Sequence, residues 1–212
     1  TFYYYLNNSD DPDNPNVHYT DTDCPYNSSI DDYTGVYRCE FHVRYFANNG
    51  TWYCNATVID SYNNTGNGWN DTVIYPVWAL NITPTIVDYG SVSVSEYSDP
   101  PRQVNITNIG NQPINASVTG YGSSFGDGLA MVCTIRNLTI KNEKYSREFS
   151  TSIDQMVNLT SSFQMIYNLT LPKQTQEGTL MFNSTYWRIN VPVEENPWGH
   201  CTGYLIFSAE QT

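Results

Sequence analysis

The sequence predicts an all-β protein, and the spacing of its strand-like runs and of its turn residues is the observation that predicts it. From residue 80 onward, apolar and polar residues alternate in short runs that recur about every 12 residues, the spacing typical of a β-sandwich. Residues rich in Asn, Gly and Pro separate the runs, and no window shows a convincing helical period. Forty per cent of the chain is hydrophobic and 18 residues are Tyr, so a packed core is possible.

The N-terminal region predicts a small module with few strands. The segment TFYYYL (Thr1, Phe2, Tyr3, Tyr4, Tyr5 and Leu6) has a strand pattern, and the acidic, Pro-bearing residues 7–23 predict a linker. We expect residues 36–47 and 51–60 to pair as a hairpin that closes at residues 48–50. Residues 61–70 are then a loop, and residues 72–78 form a strand that leads out of the module.

The C-terminal region predicts a second, larger sandwich. Strands are expected over residues 80–85, 91–95, 103–108, 114–120, 131–140, 163–171, 186–192 and 202–209, and one helical turn is possible in 143–149. The chain therefore divides into an N-terminal strand with an acidic linker over 1–23, a small module over 24–78 and a sandwich over 79–212.

Charge and hydropathy exclude two classes of partner. Nine basic residues against 21 acidic ones give a net charge of −12, whereas a nucleic-acid-binding protein needs a basic face. No apolar run approaches the roughly 18 residues of a membrane span. We therefore expect that the chain does not bind nucleic acid and that it contains no membrane-spanning segment.

Glycosylation acceptor sequences are over-represented. With 24 Asn and 40 Ser or Thr in 212 residues, about 4.5 N-x-S/T sequons are expected by chance. The chain has 13, at Asn7, Asn27, Asn49, Asn55, Asn63, Asn70, Asn81, Asn105, Asn115, Asn137, Asn158, Asn168 and Asn183. Six of these asparagines lie between two apolar residues, which predicts an outward Asn on a strand whose neighbours point inward. Dense N-glycans predict an extracellular, cell-surface protein.

The five cysteines predict disulfides in that oxidising setting. We expect Cys133 to pair with Cys201. In the predicted hairpin, Cys39 and Cys54 lie too far apart to bond, so Cys24 pairs with Cys39, or alternatively with Cys54. The favoured pairing leaves Cys54 as a small buried residue, and a bridge between chains is the remaining alternative.

No motif for catalysis or for a resident cofactor stands out. The three histidines, His18, His42 and His200, lie in no triad or metal-binding spacing, so we expect no enzyme. An acidic run offers oxygen ligands for calcium but lacks the spacing of a calcium loop, so a solvated linker is the favoured interpretation of Asp10, Asp11, Asp13, Asp21 and Asp23. Covalent N-glycans are the expected non-protein groups.

Several motifs resemble those of immunoglobulin-like modules in microbial cell-surface proteins. Residues 88–92 (DYGSV) and 104–114 (VNITNIGNQPI) carry the resemblance, and residues 186–203 are similar to the closing strands of such a module. Residues 39–60 resemble a PKD- or Ig-type repeat, although the module lacks several early strands. The resemblance covers about 170 residues, and the combination is similar to predicted archaeal cell-surface proteins. It implies tandem immunoglobulin-like β-sandwiches and an extracellular setting, but no activity.

The N-terminal strand is the strongest functional candidate. A lone aromatic strand is an aggregation hazard unless it is paired. Residues 1–6 either form the first strand of their own module or complete the sandwich of the next subunit, which would polymerise copies of the chain head to tail. We therefore expect a filament or pilus subunit; the alternatives are an S-layer-type or adhesin module and, less favoured, a glycan-active enzyme.

Overall fold

The computed structural model describes residues 1–4 and 13–212 of an all-β chain. These residues form two compact units. Unit 1 comprises Thr1–Val77, Gly110–Gln112 and Lys173–Thr179, and unit 2 comprises Trp78–Ile109, Pro113–Pro172 and Leu180–Thr212.

Unit 1 is built on a four-stranded antiparallel sheet and a separate hairpin. Its strands are β1 (Phe2–Tyr4), β2 (His18–Tyr19), β3 (Tyr26–Asp31), β4 (Thr34–Tyr37), β5 (Gly50–Ile59) and β6 (Thr65–Ile74). The sheet has the order β2-β1-β5-β6, and β3 pairs with β4 in the hairpin. The N-terminal strand β1 thus lies inside the sheet of its own unit.

An aromatic cluster forms the core of this sheet. Phe2 and Trp52 are buried and their rings stack with centroids 4.8 Å apart, while Phe41 stacks on the other side of Phe2 at 5.7 Å. Tyr4 and Tyr19 also pack against Trp52. Stacked aromatic pairs contribute about 0.5–1.5 kcal/mol each beyond the burial of their area, so this cluster accounts for much of the packing of a small unit.

The predicted hairpin of residues 36–47 with 51–60 is wrong. Residues 38–49 form no strand, and β5 pairs instead with β6 on one side and β1 on the other. The turn that closes the β5–β6 hairpin lies at Asp60, whose carboxylate accepts hydrogen bonds from the backbone N–H groups of Tyr62 and Asn64. An Asx turn of this kind is strongly favoured by the local sequence. The glycines of β6 gave that strand the composition of a loop, so the sequence did not predict it.

Two segments that are distant in sequence complete unit 1. The buried Asn111 donates from Nδ2 to the Tyr75 carbonyl at 3.0 Å and accepts from the Val77 N–H at 2.7 Å. The half-buried Lys173 ammonium donates to the Phe46 carbonyl at 3.0 Å and to the side-chain oxygens of two asparagines, Asn16 and Asn48. Unit 1 is therefore discontinuous in sequence.

Unit 2 consists of antiparallel sheets around one apolar core. Its strands are β7 (Leu80–Thr83), β8 (Arg102–Asn108), β9 (Ile114–Tyr121), β10 (Leu129–Ile135), β11 (Asn137–Thr139), β12 (Glu143–Ser146), β13 (Val157–Asn158), β14 (Gln164–Leu171), β15 (Phe182–Ile189), β16 (Trp198–Thr202) and β17 (Tyr204–Gln211). The sheets have the orders β13-β12-β15-β8-β7, β14-β9-β17 and β11-β10-β16.

Alternation along the central strands produces the core of unit 2. On β8, the side chains of Val104 and Ile106 are fully buried, and on β9 those of Ile114, Ala116 and Val118 are fully buried. The buried Trp187 of β15 packs in the same cluster. Apolar residues at every second position lie on the same face of a strand, so these side chains meet in the core.

Most of the strands predicted after residue 80 are present, with several differences. Residues 91–95 form no strand, although the Ser95 N–H bonds to the Val191 carbonyl at 2.7 Å. The possible helical turn in 143–149 is strand β12, preceded by the short 3-10 segment Ile140–Asn142. The predicted strand 131–140 is divided into β10 and β11 at Arg136, and the predicted strand 202–209 is β17, which the unpredicted β16 precedes.

Both expected disulfides are confirmed. Cys24 and Cys39 bond at the base of the β3–β4 hairpin, next to the hydrogen bond from the Arg38 N–H to the Pro25 carbonyl. Cys133 of β10 lies opposite Cys201 of β16 and bonds to it. Cys54 has a free thiol, so the alternative pairing of Cys24 with Cys54 does not occur, and its side chain is partly buried rather than buried as expected.

A buried acid lies in the core of unit 2. The Tyr89 hydroxyl donates to Glu143 Oε1 at 2.6 Å, and both residues are buried. Burial raises the pKa of Glu143 to about 7, even though the hydrogen bond from Tyr89 lowers it. Burial and the facing carboxyl raise the pKa of Tyr89 as well.

The raised pKa of Glu143 predicts that the free energy of unfolding falls as the pH rises from 4.5 to 7. In that range the folded chain keeps the proton of Glu143 and the unfolded chain, with the usual pKa of 4.5, releases it, so stability falls as pH rises. Relative to the wild type, Glu143→Gln should remove up to about 3 kcal/mol of this fall, measured by urea unfolding across the range. Exposed Glu148→Gln is the control, and an unchanged pH profile in Glu143→Gln would contradict the prediction.

Candidate functional site

The asparagines of the sequons lie at the surface. Asn7 lies outside the described residues, and none of the other 12 is buried. Seven are exposed and five are partly exposed. By contrast, three asparagines outside sequons are buried, namely Asn108, Asn111 and Asn142.

The side-chain nitrogen that would carry the glycan also distinguishes the sequon asparagines from asparagines outside sequons. An N-glycan is carried on Nδ2, and in the described residues no sequon asparagine donates a hydrogen bond from that atom. Where these side chains bond, they accept through Oδ1, as Asn105 does from Ser184 and Asn115 does from Thr170. Five asparagines outside sequons do donate from Nδ2, namely Asn16, Asn64, Asn108, Asn111 and Asn142. The sequon side chains thus have their attachment atom available.

The expected placement on sheet faces holds best in unit 2. Asn105 lies between the buried Val104 and Ile106, and Asn115 lies between the buried Ile114 and Ala116. Asn81 lies between Leu80 and Ile82, which are partly buried against the same core. At these positions the sequon asparagine points away from the core, as alternation requires.

At three of the six sequons that lie between apolar residues, one neighbour of the asparagine is exposed rather than buried. Val157 and Tyr167, the residues before Asn158 and Asn168, are exposed rather than buried. Asn168 has φ 54°, and the register of β14 with β9 shifts between residues 165 and 170, so an irregularity changes which face each side chain meets. In β5, Cys54 packs on the aromatic cluster but Ala56, on the other side of Asn55, lies beyond it and is exposed.

The N-terminal strand is held on both edges. Phe2 lies opposite Tyr19 of β2 and opposite Cys54 of β5, and Tyr4 lies opposite Trp52. Thr1 exchanges two backbone hydrogen bonds with Asn55, both 2.8 Å long. Tyr5 and Leu6, the last two residues of the predicted donor strand, lie outside the described residues.

Unit 2 has a groove at its lateral edge. Strand β17 is at the edge of its sheet and β7 at the edge of the other, and a cavity of about 790 Å³ lies beside them. Ile82, Val87 and Met131 line it together with Leu205 and Phe207 of β17. These apolar side chains pack on the core yet are only partly buried. Sequence reasoning missed the groove, because edge strands and central strands have the same alternation.

The acidic run does not form an oxygen cage among the described residues. Asp10 and Asp11 lie outside them, and Asp13 lies 3.4 Å from the buried His18. Asp21 accepts backbone hydrogen bonds from Asp23 on one carboxylate oxygen and from Glu40 on the other, and these lower the pKa of the carboxyl. Its close metal-ligand neighbours, Cys24 and Cys39, are joined in a disulfide, so the group is unsuited to calcium.

Comparison with known proteins gives no relative: no family model, no curated protein and no solved structure matches the chain. Among the described residues, no helix combines the length and the apolar character needed to cross a membrane. The two disulfides are compatible with an oxidising, extracellular setting.

Two matched substitutions test the division of the asparagines. Asn81→Ala, at an exposed sequon, should lower the intact mass by one glycan and change the free energy of unfolding by less than about 0.5 kcal/mol. Asn108→Ala should leave the glycan mass unchanged and cost about 1–3 kcal/mol, because the Leu171 and Pro172 carbonyls lose their donor. Intact-mass spectrometry and urea unfolding measure both effects. A glycan mass that Asn81→Ala leaves unchanged would contradict the assignment.

Proposed function

We propose that this chain is a non-enzymatic, densely N-glycosylated extracellular protein built of tandem immunoglobulin-like modules, of the kind found on archaeal cell surfaces. We further propose that it is the subunit of a filament or pilus. In such a filament, residues 1–6 of each copy complete the sheet of the next copy, head to tail.

The observation that carries this proposal is the dependence of unit 1 on β1. Three residues provide an interior strand of a four-stranded sheet and the buried ring of Phe2, which stacks on Trp52. Residues 5–13 separate β1 from the turn in which the Asn14 N–H bonds to the His18 carbonyl, and nine residues can span at most about 30 Å when extended. That tether allows β1 to reach a slot in a second molecule.

Exchange of β1 between copies would keep the contacts that β1 makes within one copy. In a neighbour, Phe2 would meet the same Trp52 ring, and the backbone of β1 would bond to the same two strands. The two arrangements therefore have similar contact energies, and concentration and tether length decide between them. A head-to-tail exchange that does not close into a ring gives a filament.

The glycan layer supports the same arrangement. Sugars on the outer faces at Asn81, Asn105 and Asn115 would prevent broad side-by-side packing of sheets. Association through a narrow strand slot leaves those faces in solvent. The low charge of the chain, 14% Asp, Glu, Lys and Arg, also fits a protein whose solubility comes from sugars.

An S-layer-type or adhesin module is the second candidate. The observation that favours it is that β1 already pairs within its own unit, so a single copy has a complete unit 1. In this case the lateral groove of unit 2 would be a contact for a partner, and copies would remain separable.

A cysteine pair distinguishes the two candidates. Phe2 lies opposite the free Cys54, so Phe2→Cys should form a disulfide with it. The pair does not exchange backbone hydrogen bonds, since the neighbouring Thr1 and Asn55 do, and its expected Cα separation of about 4.5 Å suits a disulfide. In surface filaments the variant should run as a covalent ladder in a non-reducing gel and collapse to one band on reduction.

Tyr3→Cys is the matched control, because residue 3 points to the opposite face of the sheet and its thiol cannot reach Cys54. Deletion of residues 1–6 should prevent filament assembly, because no copy then has a strand to insert into its neighbour. A single internally bonded band from Phe2→Cys, or filaments that persist after the deletion, would refute strand exchange and leave the coat or adhesin function.

A further inference from the structure

The outer face of the four-stranded sheet in unit 1 carries a row of aromatic side chains. Tyr3 of β1 stacks on Tyr53 of β5 with centroids 5.7 Å apart, and Tyr53 contacts Trp69 of β6 at 6.5 Å. The Trp69 side chain is 73% exposed. The row crosses three strands, which makes it about 10 Å wide at the usual strand spacing. We call these three residues the aromatic row.

The sequon asparagine Asn55 lies on the same face and at the edge of this row. It lies directly opposite Trp69 and two residues after Tyr53. Both backbone hydrogen-bonding groups of Asn55 bond to Thr1, so the pair with Trp69 has no backbone hydrogen bonds. In such pairs the Cα atoms are only about 4.5 Å apart and the side chains lie close together.

This juxtaposition occurs at one sequon among those with a register partner in the described strands. The other sequon asparagines face the non-aromatic residues Cys54, Thr107, Ser184, Thr83, Thr170, Glu210, Val132, Lys144 and Ile106. The side chain of Asn55 makes no hydrogen bond within the described part of the chain, so its amide is free to orient a sugar over the indole.

We propose that the aromatic row is a stacking site for the first sugars of the N-glycan carried on Asn55. The face of an aromatic ring is electron-rich, and the axial C–H groups of a pyranose present a weakly positive, apolar face to it. The covalent link makes the effective concentration of the sugar high, so even a weak stacking interaction is populated.

A polar edge completes the site. Asp71 lies opposite Tyr53 on the same face, and its exposed carboxylate can accept hydrogen bonds from sugar hydroxyls. Thr57, the threonine of the same sequon, lies two residues after Asn55 on this face. Its hydroxyl donates to Asn67 Oδ1 at 2.8 Å. Sites for small molecules commonly combine an apolar, aromatic surface with a few polar groups that fix the orientation of the ligand.

Peptide-resolved oxidation tests the contact. In protein purified from its own cells, hydroxyl-radical oxidation of Trp69 should be several-fold slower than in Asn55→Gln, which lacks the glycan. Tyr62, 84% exposed on the turn of the same hairpin, is the internal control and should oxidise at the same rate in both proteins. Equal oxidation of Trp69 in the two proteins, with Asn55 occupied, would overturn the inference.

A substitution cycle supplies a second readout. Loss of the glycan by Asn55→Gln should lower the unfolding midpoint by about 2–4 °C in the wild type and in Trp69→Phe, which keeps a ring. The same loss should have no effect in Trp69→Ala, while Tyr62→Ala should behave as the wild type. A glycan effect of equal size in Trp69→Ala would overturn the inference.

The inference rests on the proposed glycosylation, and mass spectrometry of the Asn55 peptide separates the two failures. An unmodified Asn55 refutes the glycan assignment at this site and with it the stacking. An occupied Asn55 with an unprotected Trp69 refutes the stacking alone.

Discussion

The stacking of Phe2 on Trp52 is the interaction on which the rest of unit 1 depends. Trp52 is the largest fully buried side chain among the described residues of that unit, and its ring packs against residues that come from β1 and β2. Without β1, the sheet would separate β2 from β5 and would expose the indole to water. A core of this size has little redundancy, so its integrity is tied to the N-terminal strand.

The surface follows a different rule from that of most charged, soluble domains. Net charge is negative but charged residues are few, and sequon asparagines with available amides occupy exposed positions on both units. Asparagines that are needed for structure, such as Asn108 and Asn111, lie outside sequons and use their amides internally. The sequence thus separates asparagines that hold the fold from those that are available for modification.

Sequence patterns were sufficient for the parts of the structure that local alternation determines. The strands around Val104, Ile106 and Ile114 and the two disulfides could be predicted, because burial on a sheet face and cysteine count constrain them strongly. The pairing in unit 1 could not, since β6 contains Gly66 and Gly68 and lacks an alternating apolar pattern. Strand pairing is a non-local property, and the choice of β1 rather than residues 36–47 as the partner of β5 depends on tertiary packing.

The candidate site divides in the same way. The sequons can be read directly, and their exposure could be expected from chemistry. The position of Asn55 opposite Trp69 could not, because it requires the β5–β6 register, and the lateral groove of unit 2 required the strand order. At Asn168, where β14 is irregular, strict alternation wrongly predicted that the preceding residue is buried.

The contacts of Lys173 with Phe46 and Asn48 have a consequence for synthesis on the ribosome. N-terminal domains generally fold first as a chain emerges, but unit 1 lacks part of its polar framework until residue 179 has been made. During translation of the intervening 95 or so residues, its sheet exists without the segments that secure residues 16, 46 and 48. The folding of unit 1 is therefore completed only after most of unit 2 has been synthesised.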